Sequence, residues 1–311
     1  MNIPAYDFDE FGENDLPWQL RSAHFLQKSN GEHPLPIQFV RKKIYDAPDW
    51  YDVDYAGYRG DVAFYHRIFA EVSSKKTLSF HAGDDEDRED RADRVVELGA
   101  GTGRLTLELL RSGARVHAVE PSAMMRAVLQ EKIAAHGFAH ACDVEDSDAG
   151  AFAGPLMAPS LVLFSFNGLL HLRTRSALHE AFQRIYQKLA YGGVFAFDVT
   201  SPYWESMRRG STPWGRVDER VHPHTGAKLL TCDRSAYNAE TRTMHIFIRY
   251  VDVVANQGIE FILEQRMWTW QEIFDAVVQN GFTPGPLYGD VNFARFQESS
   301  PRMLMVAQKR R

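Results

Sequence analysis

The most informative segment of this sequence is Val95-Val96-Glu97-Leu98-Gly99-Ala100-Gly101-Thr102-Gly103. Its apolar start predicts a buried strand, and the glycines that follow predict a tight turn into a helix. Glycine allows the backbone to turn sharply and to approach a ligand, while the next helix presents free N–H groups at its N-terminus. The segment therefore predicts a strand–turn–helix unit that binds a ligand. The alternative is that the glycines serve only the turn itself.

Strands and helices alternate on both sides of this segment. The pattern predicts strands at 94–98, 115–119, 138–142, 161–165 and 194–199, and helices at 104–111, 122–135 and 175–189. Alternation at this spacing is typical of a parallel sheet that is covered by helices on both faces. Further along, a helix at 270–280 and strands at 282–288 and 303–308 predict a closing antiparallel β-hairpin.

The remaining segments suggest four units along the chain. Residues 1–93 form a proline-rich N-terminal arm, an amphipathic lid helix at 61–72 and an acidic loop, and residues 94–200 form the alternating core. Residues 201–268 contain three strand patterns separated by turn-rich tripeptides, which predicts an antiparallel β insertion for the substrate or a dimer contact. Residues 269–311 complete the core with a helix and the last two strands.

Composition and charge exclude several classes of protein. The chain has 311 residues, 24% of them charged, and a formal net charge of −6, so a disordered or strongly basic protein is excluded. Between Asp84 and Arg94 lie seven acidic residues and three arginines, which predicts a solvated loop that carries most of this charge. Two cysteines, Cys142 and Cys232, are too few for a disulfide framework or a zinc cage. We therefore expect a cytoplasmic protein without a metal.

Membrane insertion and secretion are not expected from the sequence. The first ten residues are acidic and lack the pattern of a signal peptide, and the longest apolar-rich run, Ser160–Leu172, is shorter than the about 20 residues that span a bilayer.

Two acidic residues make the glycine segment more specific. Glu97 precedes the first glycine by two positions, and Glu120 ends the next strand, where a carboxylate can accept both hydrogen bonds of a ribose diol. The spacing is Gly-x-Gly-x-Gly instead of the dinucleotide pattern Gly-x-Gly-x-x-Gly, and no second nucleotide-binding half follows. A ligand with one ribose and no pyrophosphate is therefore favoured over a nicotinamide cofactor.

These residues resemble the class I S-adenosylmethionine-dependent methyltransferases, whose first motif is an acidic residue followed by Gly-x-Gly-x-Gly. The resemblance covers residues 94–200 well and 268–311 more loosely. The tyrosine-rich arm, the segment Gly60-Asp61-Val62-Ala63-Phe64-Tyr65, the insertion and the ending Ser300-Pro301-Arg302-Met303 resemble a bacterial group of small-molecule methyltransferases. Sugar-amine and glycine N-methyltransferases look like more distant relatives.

The resemblance implies the fold and the cofactor. The fold expected is α/β, with a Rossmann-like, mostly parallel sheet of seven strands, helices on both faces, a C-terminal antiparallel hairpin and the antiparallel β insertion. The cofactor expected is S-adenosyl-L-methionine, and the product is S-adenosyl-L-homocysteine. The implied cofactor site consists of Tyr58, Glu97, Gly99, Ala100, Gly101, Thr102, Gly103, Arg104, Glu120, Pro121, Met124, Asp143, Val144 and Phe164.

Two residues of this site have an alternative interpretation. Met124 is expected against the adenine ring, but a methionine at this spacing is equally typical of a packed core. Asp143 is expected near the adenine amine, but it also fits a solvated loop.

The loop after the fourth predicted strand is expected to carry the chemistry, because ligands of such sheets bind beyond the carboxyl ends of the strands. Its polar members are Asn167 and His171. Methyl transfer needs mainly alignment, desolvation and a neutral nucleophile, and a histidine has a suitable pKa to accept a proton. The candidate catalytic residues are His171, Asn167 and Tyr65, and the candidate substrate-binding residues are Asn167, His171, Tyr203 and Trp204. Capping of the next helix by His171, and simple packing of the tyrosines and Trp204, remain alternatives.

The expected function is methyl transfer to nitrogen or oxygen of a small polar metabolite. The loop lacks the Pro-Pro-aromatic tetrapeptide with which DNA amine methyltransferases hold a flipped base, so no nucleic-acid partner is expected. Three alternatives remain open: an enzyme that consumes S-adenosylmethionine itself and releases methylthioadenosine, a non-catalytic S-adenosylmethionine-binding subunit, and a nicotinamide oxidoreductase. Exposed strand edges of the insertion predict a homodimer.

Overall fold

The structure is a computed structural model that describes residues 37–74, 93–203, 210–215 and 217–310. The proline-rich start, residues 84–92 of the acidic loop and Trp204 lie outside the described residues. Within the described ranges, no helix is long and apolar enough to span a bilayer.

The strands and helices alternate in the order that the sequence predicts. The strands are β1 (Gln38–Lys42), β2 (Arg94–Leu98), β3 (Arg115–Val119), β4 (Cys142–Glu145), β5 (Leu161–Phe164), β6 (Val194–Thr200), β7 (Asp218–Val221), β8 (Lys228–Asn238), β9 (Thr243–Asp252), β10 (Gln257–Arg266), β11 (Phe282–Tyr288) and β12 (Arg302–Lys309). The α-helices are α1 (Pro48–Tyr55), α2 (Val62–Ser73), α3 (Arg104–Arg111), α4 (Ala123–Ala135), α5 (Arg175–Lys188) and α6 (Trp270–Gln279). Two short 3₁₀ turns cover Ile44–Asp46 and Gly168–His171.

The main sheet has seven strands in the order β11-β12-β6-β5-β2-β3-β4. Strands β4, β3, β2, β5 and β6 are parallel, whereas β12 pairs antiparallel with β6 and with β11. The α/β fold, the mostly parallel seven-stranded sheet and the C-terminal hairpin are thus confirmed. The chain runs outward from β2 to β4 and then returns to β5, so the topological switch point lies between β2 and β5.

Helices bury both faces of this sheet. On one face α5 and α6 contribute Phe182, Ile185 and Val277 to an apolar core. On the other face α2, α3 and α4 contribute Ile68, Leu109 and Leu129. Because helices cover the central strands on both faces, the sequences of these strands are nearly continuous apolar runs, which is typical of parallel strands.

A second sheet of five strands has the order β1-β10-β9-β8-β7. Strands β7 to β10 are antiparallel, in agreement with the predicted β insertion, but β1 comes from the N-terminal arm and pairs parallel with β10. The sequence did not indicate β1, because its five residues, Gln-Phe-Val-Arg-Lys, are mostly exposed and do not alternate between apolar and polar.

The third strand of the core differs from the prediction. The predicted strand at 138–142 is wrong, since the observed strand is β4, Cys142–Glu145. Gly137 ends α4 with φ +75°, and the Phe138 N–H then donates to the Ile133 carbonyl at 3.0 Å. Residues 138–141 consequently form the turn after the helix.

Candidate active site

A cavity of about 670 Å³ lies at the carboxyl edge of the main sheet. It has walls from the core, from the arm and from the second sheet. The core wall includes Gly99, Gly101, Val119, Glu120, Pro121, Ser122, Ser147, Asp148, Ala149, Phe164, Phe166, Asn167, Gly168, His171, Leu172 and Arg302. The arm contributes Ile44, Tyr45, Tyr51, Asp54, Tyr55 and Tyr58, and the second sheet contributes Ile246, Ile248, Leu263 and Gln265.

The glycine turn presents bare backbone to this cavity. Gly99 and Gly101 have φ values of +68° and +59°, a region that side-chain-bearing residues rarely adopt. The N–H groups of Gly99 and Ala100 donate to the Val119 carbonyl at 2.8 and 3.1 Å, which fixes the turn against the end of β3. The turn therefore offers a fixed backbone surface for close approach of a ligand.

Four residues next to these glycines, Ala100, Thr102, Gly103 and Arg104, stabilise the turn on the side away from the cavity. Ala100 and Gly103 are buried in the core, and a Cβ on Gly103 would lie 2.5 Å from Leu129 Cδ1. Thr102 Oγ1 donates to Asp52 at 2.6 Å, which fastens α1 to the turn. Among the described residues that line the cavity, these four predicted members, Ala100, Thr102, Gly103 and Arg104, do not appear.

Arg104 forms a buried ion pair with the arm. Its guanidinium donates two hydrogen bonds, at 2.6 and 2.7 Å, to the Asp61 carboxylate, which has no exposed surface. The same guanidinium lies over the rings of Tyr58 and Phe166, 5.3 and 4.8 Å from their centroids. Arg104 thereby holds the rings of Tyr58 and Phe166, which both line the cavity, in position.

Glu120 is the acidic residue that faces the cavity at the end of β3. Its Oε2 accepts from the Gly101 N–H and its Oε1 from the Ser122 N–H, both at 2.8 Å. Burial raises the pKa of this carboxyl, while the two backbone donors act in the opposite direction. Each carboxylate oxygen accepts more than one hydrogen bond, so Glu120 can also accept from a diol.

Glu97 lies beneath the site. It is 1% exposed and accepts a hydrogen bond from Thr106 Oγ1 at 2.6 Å. Burial raises the pKa of its carboxyl to about 7. In the part of the chain that the structure describes, its side chain does not line the cavity.

Three further predicted cofactor residues, besides the five named above, do not line the cavity within the described ranges. Met124 is 53% exposed, and Asp143 and Val144 lie on β4, with Asp143 exposed. The acidic residue beyond β4 that lines the cavity is Asp148, whose Oδ1 accepts from the Gly150 and Ala151 N–H groups at 2.8 and 3.0 Å. Of these two acidic residues, Asp148 lines the cavity and Asp143 does not in the described part of the chain.

The loop after β5 places both Asn167 and His171 at the cavity. His171 Nε2 lies 2.9 Å from the Tyr45 hydroxyl. Its ring is open to the cavity but otherwise surrounded by protein, and this desolvation, with a smaller contribution from the Arg173 charge, lowers the pKa of the imidazole to about 4. His171 is consequently neutral near pH 7.

The arm adds an aromatic wall. Tyr51 and Tyr55 pack with ring centroids 4.7 Å apart, and Tyr55 and Tyr58 each contact Phe166, at 5.4 and 5.3 Å. Burial raises the pKa of the Tyr45, Tyr51 and Tyr55 phenols. These phenols are therefore neutral, and their faces can attract a cation.

The remaining candidates lie elsewhere. Tyr65 is fully buried and donates to Asp198, so it is behind the described cavity wall. Tyr203 packs against the core and contacts Phe296 at 6.4 Å. Neither appears among the described lining residues, and Trp204 lies outside the described residues.

The sequence did not indicate the polar lining residues Tyr45, Asp54, Ser147, Asp148, Gln265 and Arg302. Arg302 stands in the segment Ser300-Pro301-Arg302-Met303 that carries part of the resemblance, but its role was not indicated. The others reach the cavity through the packing of the arm and the second sheet or through the course of a loop, and no local pattern marks them.

Comparisons with known proteins show which family the chain belongs to. A family model described as a methyltransferase domain matches residues 95–193. A putative methyltransferase from Geobacillus sp. (strain WCH70) is 30% identical over 218 residues, which cover 70% of this chain and 85% of that protein. The first curated relatives that the chain matches are covered over only about half of their length.

Solved structures show the same fold. The CcbJ methyltransferase from Streptomyces caelestis superposes with a TM-score of 0.70 at 20% identity, covering 86% of this chain and 99% of that one. The S-adenosylmethionine-bound amino pentose methyltransferase CalS10 from Micromonospora echinaspora superposes with a TM-score of 0.58 at 18% identity, covering 88% and 99%. At these identities the similarity establishes the fold alone.

Proposed function

Because the chain belongs to the class I S-adenosylmethionine-dependent methyltransferases, we propose that it transfers a methyl group to a nitrogen or oxygen atom of a small polar metabolite. The observation that supports this most is the composite cavity. The core edge that suits the cofactor is continuous with walls from the arm and the second sheet. A volume of about 670 Å³ falls within the range of small-molecule sites, and we propose that donor and acceptor share this one chamber.

The residues at the core edge fit S-adenosylmethionine. We propose that Gly99 and Gly101 lie against the cofactor, that Glu120 accepts from the ribose diol, and that Asp148 faces the adenine amine. The strand order β5-β2-β3-β4 places Glu120 and Asp148 on one side of the glycine turn and Asn167 on the other. The nucleoside then extends over β3 and β4, and its reactive end faces the loop after β5.

The other half of the chamber suits an uncharged acceptor group. It combines apolar side chains of the second sheet, Ile246, Ile248 and Leu263, with the polar ends of Gln265 and Asn167. The carboxylate of Asp54 is paired with Arg220 at 2.6 Å, so its charge is balanced. A nucleophile needs a free lone pair, and a weakly polar chamber favours the neutral form of an amine.

When bound, S-adenosylmethionine would supply a methyl carbon that its positive sulfonium activates for attack by the lone pair of the acceptor. The carbon–sulfur bond would break with its electrons staying on sulfur, and the proton left on the methylated acceptor would pass to water. The aromatic wall and the neutral His171 surround the positive charge without opposing it. His171 and Asn167 can hydrogen-bond the acceptor and hold it in line.

Mass spectrometry of the products tests this proposal. The protein is incubated with S-adenosylmethionine carrying a labelled methyl group and with panels of amino sugars, amino acids and hydroxylated metabolites. We expect a labelled product together with S-adenosylhomocysteine. Methylthioadenosine without S-adenosylhomocysteine would show that S-adenosylmethionine itself is the substrate, and binding without either product would support a non-catalytic subunit.

Three further expectations remain proposals. We propose a homodimer, supported by the edge strand β7 of the second sheet within the described residues, and light scattering tests it. A cytoplasmic location and the absence of a nucleic-acid partner are likewise proposed, and cell fractionation and a filter-binding assay with duplex DNA and RNA test them.

A further inference from the structure

The loop that follows β5 contains two consecutive residues in an unusual backbone conformation. Phe166 and Asn167 have φ values of +51° and +67°, although neither is glycine. Side chains clash with the backbone in this region, so such residues persist only where neighbouring groups hold them. Both residues line the cavity.

The groups that hold this pair come from the end of β6. Asp198 Oδ1 accepts from the Phe166 N–H at 2.8 Å, and the Asp198 carbonyl accepts from the Asn167 N–H at 3.2 Å. Asn167 Oδ1 in turn accepts from the Thr200 N–H at 2.7 Å and from Thr200 Oγ1 at 3.1 Å. Side chain and backbone of β6 thus fix both left-handed residues.

Burial of the Asp198 carboxylate at this position is energetically unfavourable unless its charge is compensated. Its side chain has no exposed surface, and a buried carboxylate is tolerated only when it is paired and hydrogen-bonded. The Tyr65 hydroxyl donates to Oδ1, and the Arg302 guanidinium forms an ion pair with Oδ2. The Asp198 carboxylate therefore balances the charge of Arg302 and accepts hydrogen bonds from Tyr65 and from the loop after β5.

We propose that Asp198 is a positioning residue for methyl transfer, which holds the Phe166–Asn167 pair beside the methyl group of bound S-adenosylmethionine. The proposal rests on the proposed function, because it needs the cofactor in this cavity. A Cβ on Gly99 would lie 3.7 Å from the Phe164 ring, so the loop after β5 begins beside the glycine turn. With the nucleoside over β3 and β4, the sulfonium end meets this loop.

Calorimetry with two ligands tests the proposal without knowledge of the acceptor. S-adenosylmethionine and S-adenosylhomocysteine differ only in the methyl group and its positive charge. In Asp198→Asn we expect the affinity for S-adenosylhomocysteine to stay within about twofold, while the preference for S-adenosylmethionine over S-adenosylhomocysteine falls by about tenfold. If Asp198 had only a structural role, Asp198→Asn would lower the affinity for both ligands by the same factor, and this result would overturn the proposal.

An NMR measurement reports on the hydrogen bond directly. The Phe166 amide proton, which donates to a carboxylate in the wild type, is expected to move upfield in Asp198→Asn, because the acceptor loses its charge. An unchanged resonance in a folded variant overturns the proposal.

Glu260→Gln is the matched control. Glu260 is also a buried carboxylate, 2% exposed, and it pairs with Arg41 and Arg249 at 2.9 and 2.6 Å on the second sheet. Its neutralisation should leave the ligand preference at the wild-type value. If Glu260→Gln lowers the preference as much as Asp198→Asn does, the effect is general destabilisation and the proposal is overturned.

Tyr65→Phe provides a second variant in case Asp198→Asn does not fold. It removes one donor to Asp198 and should lower the same ligand preference, by about twofold to threefold. An unchanged preference in this variant overturns the proposal. If the wild-type protein binds neither ligand, the proposed function itself is wrong. If the wild type binds both ligands and the variants lose affinity for both by the same factor, only the positioning role of Asp198 is wrong.

Discussion

Replacement of Glu120 by glutamine should weaken cofactor binding strongly. The carboxylate lines the cavity, is 6% exposed, and accepts from the Gly101 and Ser122 N–H groups at 2.8 Å each. A glutamine keeps one acceptor oxygen but turns an N–H₂ toward one of its hydrogen-bond donors. In the proposed placement the ribose diol donates to both carboxylate oxygens, and the variant loses one of these two charge-assisted bonds, while the fold keeps a side chain of the same size.

The magnitude follows from this geometry. A hydrogen bond to a charged group contributes about 1.5–3 kcal/mol, so the dissociation constant of S-adenosylmethionine should rise roughly 10- to 150-fold. Glu120→Ala removes both bonds to the ribose and should cost about 2–4 kcal/mol of binding free energy. Isothermal titration calorimetry measures both values on protein that circular dichroism shows to be folded.

Glu145→Gln is the control that distinguishes an effect on cofactor binding from an effect on folding. Glu145 also ends a strand of the main sheet and accepts two backbone hydrogen bonds, from Ala153 at 2.6 Å and Gly154 at 3.0 Å. In the described part of the chain it does not line the cavity. We expect a loss of stability similar to that of Glu120→Gln with an unchanged dissociation constant. Folded Glu120 variants with wild-type affinity would refute the assignment of Glu120 to the ribose.

Four further predictions concern the residues around the cavity. Because burial raises the pKa of Glu97 to about 7, the folded state holds its proton where the unfolded state has lost it, so about 3 kcal/mol of unfolding free energy should be lost as pH rises from about 4.5 to 7. Urea denaturation across this range should show that Glu97→Gln removes the slope, and parallel curves for both proteins would contradict this. Gly103→Ala should destabilise the fold by about 1–3 kcal/mol more than Gly113→Ala, because both glycines have positive φ but only Gly103 faces Leu129; equal melting temperatures would speak against the close contact. Asp61→Asn should cost about 3–5 kcal/mol in chemical denaturation, since it leaves the buried Arg104 without its counter-charge, and a loss below about 1 kcal/mol would mean that the pair is solvated. The pKa of about 4 predicts that the His171 ring shows no NMR titration between pH about 5.5 and 8, and that its protonation destabilises the fold only as pH falls from about 6.5 toward 4; a midpoint near 6.5 would disprove the desolvation of the ring.

Contiguous patterns were sufficient for most of the main sheet. The glycine segment, the helix after it and the next strand were predicted with the observed bounds, because their apolar periodicity and glycines act within a few residues. Strand β1 was missed, since an exposed edge strand in an arm has no alternating pattern and forms only against β10.

The residues that line the cavity also differ in how far the sequence indicates them. Gly99, Gly101 and Glu120 belong to local motifs, and all three line the cavity. Asp148 was missed because the sequence does not show where the chain leaves β4, and a shift of a few residues exchanges it for Asp143. Tyr65 was placed at the site by its neighbourhood in the sequence, whereas its helix turns the hydroxyl into the core toward Asp198.

A crystal structure of the complex with S-adenosylhomocysteine tests the assignment of this cavity to the cofactor most directly. We expect electron density for the nucleoside in the cavity, with both ribose hydroxyls at hydrogen-bonding distance from Glu120 and the sulfur atom facing Asn167. Density for the nucleoside at another place, or an empty cavity at a saturating ligand concentration, would disprove this assignment.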